Sequence, residues 1–294
     1  AMVVARTAAL ARLAAREVVV AYRPLPAVSD AGQAVMAQAP AVWDGIAGNL
    51  CFDWETGDEA EVEAALAAAA TVVDIRLVNN RVVVAPLETR SAIGWVHPSN
   101  GRRVLVTATQ GVHWTRDVIA GDVLGWDPAT LEVVTPRVGG SFGSKIFVYP
   151  EQVLVLLAAE RFSTAVRWVG SRKEAFLSDT QGRDQRTRVR LALDADGHFL
   201  ALRADTDANL GAFLSNYAPF NPTTCGVPVL AGAYRIGCLY ARVRGVFTHT
   251  PPVDSYRGAG RPEANYVLER VIDAAALKLC IDKAELRRRN LVRA

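Results

Sequence analysis

Apolar positions along this chain recur with two periods, and Pro and Gly mark where one gives way to the other. A helical period covers Ala8 to Ala15, an Ala-rich run ending near Ala70, roughly Thr115 to Leu124, Pro150 to Phe162, and Pro262 to about Cys280. Asp58 and Glu61 form a capping-box pattern before the Ala-rich run, and Asp282 and Glu285 cap a last helix carrying Arg287, Arg288 and Arg289. Pro150 and Glu151 suit the first turn of their helix, and Ser171 to Leu177 reads as a short helical turn.

Strand patterns predict Glu17–Tyr22, stopped by Pro24 and Pro26, an edge strand over Asn49–Trp54, and one or two strands over Thr71–Val84. Further strands are predicted over Arg103–Thr109, Leu131–Val138, Ala165–Val169 and Arg242–Thr248. Arg186–Leu193 and His198–Ala204 flank a Gly-bearing turn and predict a hairpin, with Arg188 and Arg190 alternating toward solvent. Asp205 to Tyr217 continues extended with a bend at Gly211. Ser29–Ala47 reads as a linker, and Pro86–Thr89 and Asn221–Gly232 as loops.

Length allows one large or two ordinary domains in 294 residues, and 51% apolar content supplies a core. A net charge of +3 with both signs interspersed argues against a nucleic-acid partner. The arginines between Arg167 and Arg190 read as surface ion pairs. Cys51, Cys225, Cys238 and Cys280 have no CxxC spacing, so no zinc or iron–sulfur site is encoded and the thiols suit a reduced, cytoplasmic setting. No apolar run reaches the roughly 18 residues of a membrane span.

Two loops carry candidate chemistry. Gly139-Gly140-Ser141-Phe142-Gly143-Ser144-Lys145 joins a strand to a helix and can bring backbone N–H groups against an anionic or oxo-bearing ligand. It is neither a Walker A loop nor a dinucleotide GxGxxG, and by itself it reads equally as a Gly-rich turn. Ser255-Tyr256-Arg257-Gly258-Ala259-Gly260-Arg261 sets arginines on a glycine turn where a helix begins, a fitting grip for phosphate or pterin edges. Gln110, after a strand, reads as a ligand donor or acceptor or as a loop amide bonded to nearby backbone. Glu88, near Pro86, reads as a solvated or capping acid, and His113 as a helix-start residue.

With these loops in order, the chain resembles the large, molybdenum-binding subunit of the xanthine dehydrogenase/aldehyde oxidase family. Val18–Val28, Leu87–Arg90, Thr109-Gln110, Gly139–Lys145, Gly182–Asp184, Leu210–Phe213, Phe247-Thr248, Ser255–Ala264 and Leu286–Asn290 carry the resemblance. It implies an α+β fold, with residues 1–40 the end of a hammerhead domain plus linker and 41–294 the first molybdopterin-binding domain, built of mixed sheets with flanking helices. It also implies molybdopterin, as the cytosine dinucleotide, carrying molybdenum. The activity implied is oxidation of an aldehyde or aromatic N-heterocycle with water as oxygen source. Partners would be the rest of the large subunit, an iron–sulfur subunit and an FAD subunit. By the same resemblance Gln110 is catalytic, and Gly140, Phe142, Gly143, Arg257, Gly258, Ala259 and Gly260 bind the cofactor, with no direct metal ligand among them.

Ile146 stands where purine-oxidising members have a substrate-gripping Glu, and Gly258 where carbon monoxide dehydrogenases have a cysteine, so both substrates are disfavoured. The family's general-base Glu has no counterpart here, which implies a middle slice of a longer subunit, inactive alone. The alternative is a non-catalytic half serving only in assembly.

Overall fold

The computed structural model describes residues 1–292; the last two residues of the expected 41–294 domain lie outside them. Helices are α1 (Ala8–Arg16), α2 (Ala31–Ala34), α3 (Glu59–Ala68), α4 (Val112–Asp117), α5 (Pro150–Phe162), α6 (Arg172–Ser178), α7 (Arg261–Leu279) and α8 (Lys283–Asn290). Strands are β1 (Leu50–Thr56), β2 (Thr71–Asn79), β3 (Ser91–Val96), β4 (Arg103–Thr107), β5 (Leu131–Val134), β6 (Val166–Val169), β7 (Gln185–Leu193), β8 (Phe199–Gly211) and β9 (Cys238–Phe247). Helices and strands in mixed sheets make the fold α+β. Among the described residues no helix is long and apolar enough to cross a membrane. The chain divides into two compact units: residues Ala1–Pro26 with Val84–Asp179, and Ala27–Val83 with Thr180 onward.

In the first unit a four-stranded sheet runs β5-β4-β3-β6, with β4–β5 parallel and the other pairs antiparallel. Helix α5 lies on β3, and Val155, Leu156 and Ala159 pack with Ala92, Leu105, Leu131 and Val166. The approach is close enough that a Cβ at Gly94 would sit 2.9 Å from the Val155 backbone. At the start of α5 the Gln152 side-chain oxygen accepts from the Tyr149 N–H at 2.9 Å, and Pro150 occupies the first turn. Below the sheet, buried Arg90 donates to Asp179 at 2.8 Å and to Ser178 at 2.9 Å, pairs with Glu151, and lies 3.7 Å over the Tyr149 ring. Burial pushes the Glu151 carboxyl up despite Arg90.

In the second unit the order is β1-β9-β8-β7-β2, antiparallel except for β8–β9. Helix α7 covers one face, where Val267, Leu268, Val271 and Ile272 meet Val189, Leu191 and Leu202. Helix α3 covers part of the other, with Val62 and Leu66 against Ala192, Ala201 and Tyr240. Strand β7 therefore alternates between two covered faces. Its outward arginines are ion-paired at the surface, Arg186 with Asp30, Arg188 with Asp74 and Arg190 with Glu63, and Arg186 and Arg188 stay exposed.

Three expectations fail for tertiary reasons. Glu17–Tyr22 is not a strand, because no described strand pairs with it, and a β-rich run without a neighbour has no ladder. The strand before the glycine loop stops at Val134 rather than Val138, ahead of Pro136, which has no N–H to offer. The expected Thr115–Leu124 helix begins three residues earlier and ends in a wider π-type turn over Val118–Val123. One strand, β3, was unanticipated: Ala92 and Gly94 are small because α5 lies on them, and small residues carry no strand signal.

Candidate functional site

The glycine loop in the first unit is held at both ends by one carboxylate. Glu88 Oε2 accepts from the Gly139 N–H at 3.0 Å and from the Lys145 ammonium at 2.7 Å, while the Glu88 N–H donates to the Gly139 carbonyl at 3.1 Å. The Lys145 side chain is 1% exposed. Burial pushes the Glu88 carboxyl up, but the bonds from Lys145 and Gly139 outweigh it and hold the group below the ordinary glutamate range. Of the solvated or capping roles expected from the sequence, Glu88 takes one close to the second: it accepts a backbone N–H and anchors the loop. A Cβ at Gly139 would meet Glu88 Cβ at 2.6 Å, so only glycine lets the carboxylate reach the loop.

Between these ends the backbone adopts left-handed conformations at Gly140, Phe142 and Gly143 (φ 101°, 53° and 108°). Phe142 is the costly one, as a bulky L-residue rarely sits there. Its ring is half exposed, and among the described residues the N–H groups of Gly140, Ser141 and Phe142 form no hydrogen bond. Further on, Ser144 and Lys145 are buried, and Tyr149 Oη donates to the Ser144 carbonyl at 2.6 Å.

Gln110 follows β4 and is exposed. Its main-chain N–H donates to the Lys145 carbonyl at 3.1 Å. Its side-chain oxygen accepts from the Gly143 N–H at 3.0 Å and from the Ser141 hydroxyl. A backbone N–H only donates, so the atom facing it is the oxygen, and the amide orientation is settled by chemistry. The carbonyl end is tied to nearby backbone, as the loop-amide reading expects, and the NH2 end has no partner among the described residues.

The second loop lies in the second unit, ahead of α7. Gly258, Ala259 and Gly260 all have positive φ (99°, 43° and 85°). A Cβ at Gly260 would fall 1.9 Å from the Asn221 carbonyl oxygen. Arg257 is exposed, and its guanidinium has no partner among the described residues. Buried Asp254 braces the loop from below, accepting from the N–H groups of Tyr217 at 2.8 Å and Ser255 at 2.6 Å. Burial raises its carboxyl despite these donors.

Gln110, Ser141 and Gly143 are brought into one constellation in the first unit, while Arg257, Gly258, Ala259 and Gly260 form a second group in the other. Sequence reasoning missed the pairing of Glu88 with Lys145, 57 positions apart, and gave Arg183 only an ion-pairing role. A lone lysine inside a glycine loop was the available signal, since a buried ammonium requires a carboxylate. The first unit's group offers a neutral amide and main-chain N–H groups, and the second unit's group, by itself, offers a guanidinium. Each suits an anionic, oxygen-rich group, and neither offers a thiolate or imidazole to ligate a metal directly.

Residues 42–291 match the family model described as the molybdopterin cofactor-binding domain. The chain is 32% identical to the carbon monoxide dehydrogenase large chain of Hydrogenophaga pseudoflava, aligned over 100% of its own length and 38% of the relative's. It is 31% identical to subunit gamma of the 6-hydroxypseudooxynicotine dehydrogenase complex of Paenarthrobacter nicotinovorans, over 97% of this chain and 35% of that one. Among solved structures, quinoline 2-oxidoreductase from Pseudomonas putida 86 superposes with a TM-score of 0.91 at 32% identity, covering 98% of this chain and 36% of that one. The chain thus spans little more than a third of the length of these relatives.

Proposed function

Because this chain belongs to the molybdopterin cofactor-binding domain family, we propose that it is the first cofactor-binding part of a molybdenum hydroxylase. The enzyme oxidises an aldehyde or an aromatic N-heterocycle with water as oxygen source and passes electrons to iron–sulfur and FAD partners. Residues 41–294 form the cofactor-binding domain, and residues 1–40 are the end of a preceding hammerhead domain and its linker. The cofactor is molybdopterin cytosine dinucleotide, and the enzyme is cytoplasmic.

One observation carries the reading: the carbonyl of Gln110 is locked by Gly143 and Ser141, so the side chain presents only its NH2 group. A donor fixed before binding stabilises developing negative charge without reorganising. When bound, the cofactor supplies two-electron oxidation at a carbon centre. Gln110 would donate to it, the backbone of Gly140, Phe142 and Gly143 would face it, and Arg257 would add a charge-assisted contact. Gly258, Ala259 and Gly260 leave no bulky side chain to hold that loop away.

Aldehydes and N-heterocycles are favoured over two other substrates of the resemblance. One solved relative is a Cu,Mo carbon monoxide dehydrogenase, and copper calls for a soft ligand such as thiolate. No cysteine stands between Tyr256 and Arg261. Ile146 offers no hydrogen bond to a purine edge. Quinoline 2-oxidoreductase is named for an aromatic N-heterocycle, which agrees with this choice.

Metal and pterin analysis of the complete enzyme tests the proposal. Molybdenum and a fluorescent pterin in stoichiometric amounts are expected, with cytidine monophosphate released on acid hydrolysis. A fully assembled enzyme without molybdenum or pterin would overturn it.

A further inference from the structure

We propose that Arg183 is the positioning residue that sets the direction of Arg257, and that buried Glu263 holds Arg183 in place for it. The inference rests on the cofactor-binding role given above to Arg257. The Arg183 guanidinium donates through Nη1 to the Tyr256 carbonyl at 2.9 Å and through Nη2 to the Arg257 carbonyl at 3.0 Å. These carbonyls belong to the two peptide groups on either side of the Arg257 Cα, so one planar fork fixes where that side chain leaves the backbone. The guanidinium also lies 4.7 Å from the centre of the Tyr256 ring. Gly182 makes room for this stacking, since a Cβ there would fall 2.4 Å from Tyr256 Cβ.

The loop has an external clamp. Three successive residues, Gly258 to Gly260, are left-handed and make no regular ladder, and the Arg183 fork acts beside the loop's own turn bonds, from the Ala259 N–H to the Tyr256 carbonyl at 2.9 Å and from the Arg261 N–H to the Gly258 carbonyl at 3.3 Å. Arg183 and Asp184 are themselves left-handed (φ 68° and 60°), a strained arrangement that surrounding contacts must hold. They are supplied: Asp184 pairs with Arg81 at 2.8 Å, accepts from Asn209 Nδ2 at 2.9 Å, and its carbonyl takes the Asn209 N–H at 3.0 Å.

Glu263 completes the device. It is 4% exposed, and its Oε1 accepts from Arg183 Nη1 at 3.0 Å. Its Oε2 is buried with no protein partner. A cavity of about 30 Å³ beside it, lined by Gln185, Thr187 and Thr206 together with apolar side chains such as Val227, Leu230 and Val267, is large enough for one water molecule. A carboxylate so placed keeps the Arg183 side chain from swinging to solvent.

The test compares Arg183→Lys, Arg257→Ala and the double variant in the full-length enzyme. Molybdenum retained after dialysis is measured alongside hydrogen exchange at residues 256–261. Arg183→Lys keeps the charge but loses the fork. It is expected to lower retention about tenfold, the weight of about 1.4 kcal/mol, and to speed exchange across the loop. The double variant should retain no less than Arg257→Ala alone, because the first substitution acts through the second residue. Multiplying losses, or unchanged loop exchange in Arg183→Lys, would overturn the proposal. Full retention in Arg257→Ala would instead overturn the role of Arg257, while the exchange data still report the clamp. If Arg183→Lys fails to fold, Glu263→Gln carries the same comparison.

Discussion

Replacing Glu88 by alanine removes the one carboxylate that ties the ends of the glycine loop. The Lys145 ammonium, whose side chain is 1% exposed, loses its partner at 2.7 Å, and the Gly139 N–H loses its acceptor at 3.0 Å. Stranding a buried charge costs about 3–5 kcal/mol. The Glu88 side chain is 35% exposed, so water enters the space it leaves and the lower end, about 3 kcal/mol, is expected. For a unit of about 120 residues that lowers the melting temperature by roughly 9–18 °C. Urea unfolding at pH 7 measures it. Adding Lys145→Met should restore stability to within about 1 kcal/mol of the parent, because an apolar chain suits the buried slot once its charge is gone. The acid limb supplies a second readout. The folded carboxyl of Glu88 lies below its unfolded value of about 4.3. Its contribution is therefore complete above that value and fades as pH falls through the lower folded one. Glu88→Gln should lose this part of the pH dependence. A loss under about 0.5 kcal/mol in Glu88→Ala, or additive losses in the double variant, would refute the account.

Other outcomes follow from the same geometry. Gly260→Ala should cost more than about 2 kcal/mol in calorimetry, since its Cβ would sit 1.9 Å from the Asn221 oxygen at a φ of +85°. Gln110→Glu puts an acceptor where the donor was; turnover should fall about 10²–10³-fold with molybdenum content unchanged, and undiminished turnover would remove Gln110 from the chemistry. Asp254 has a raised folded value, so its neutral form is favoured and stability should decline as pH climbs from about 3.9 through that value. Asp254→Asn should abolish this slope, which a urea series between pH 3.5 and 6 would reveal.

What could be read from the chain alone was local. Asp58, Ser171 and Asp282 cap helices within a few residues of themselves, and the Arg186–Ala204 hairpin is drawn by alternation around one turn. The two glycine loops were visible as unusual sequences, and their order along the chain pointed to the family. What the loops are fastened to was not visible. Glu88 meets Lys145 across 57 positions and Arg183 meets Arg257 across 74, and no pattern in either neighbourhood names its distant partner. The same limit explains the strands: Ser91–Val96 exists because neighbours lie on both sides, while the valines after Glu17 have none and stay outside any sheet. Periodicity and caps act over one or two turns of backbone, so the sequence by itself determined the capped helices and the hairpin. Pairing of charges and strand edges depends on which segments come to lie side by side, and only the folded units decided that.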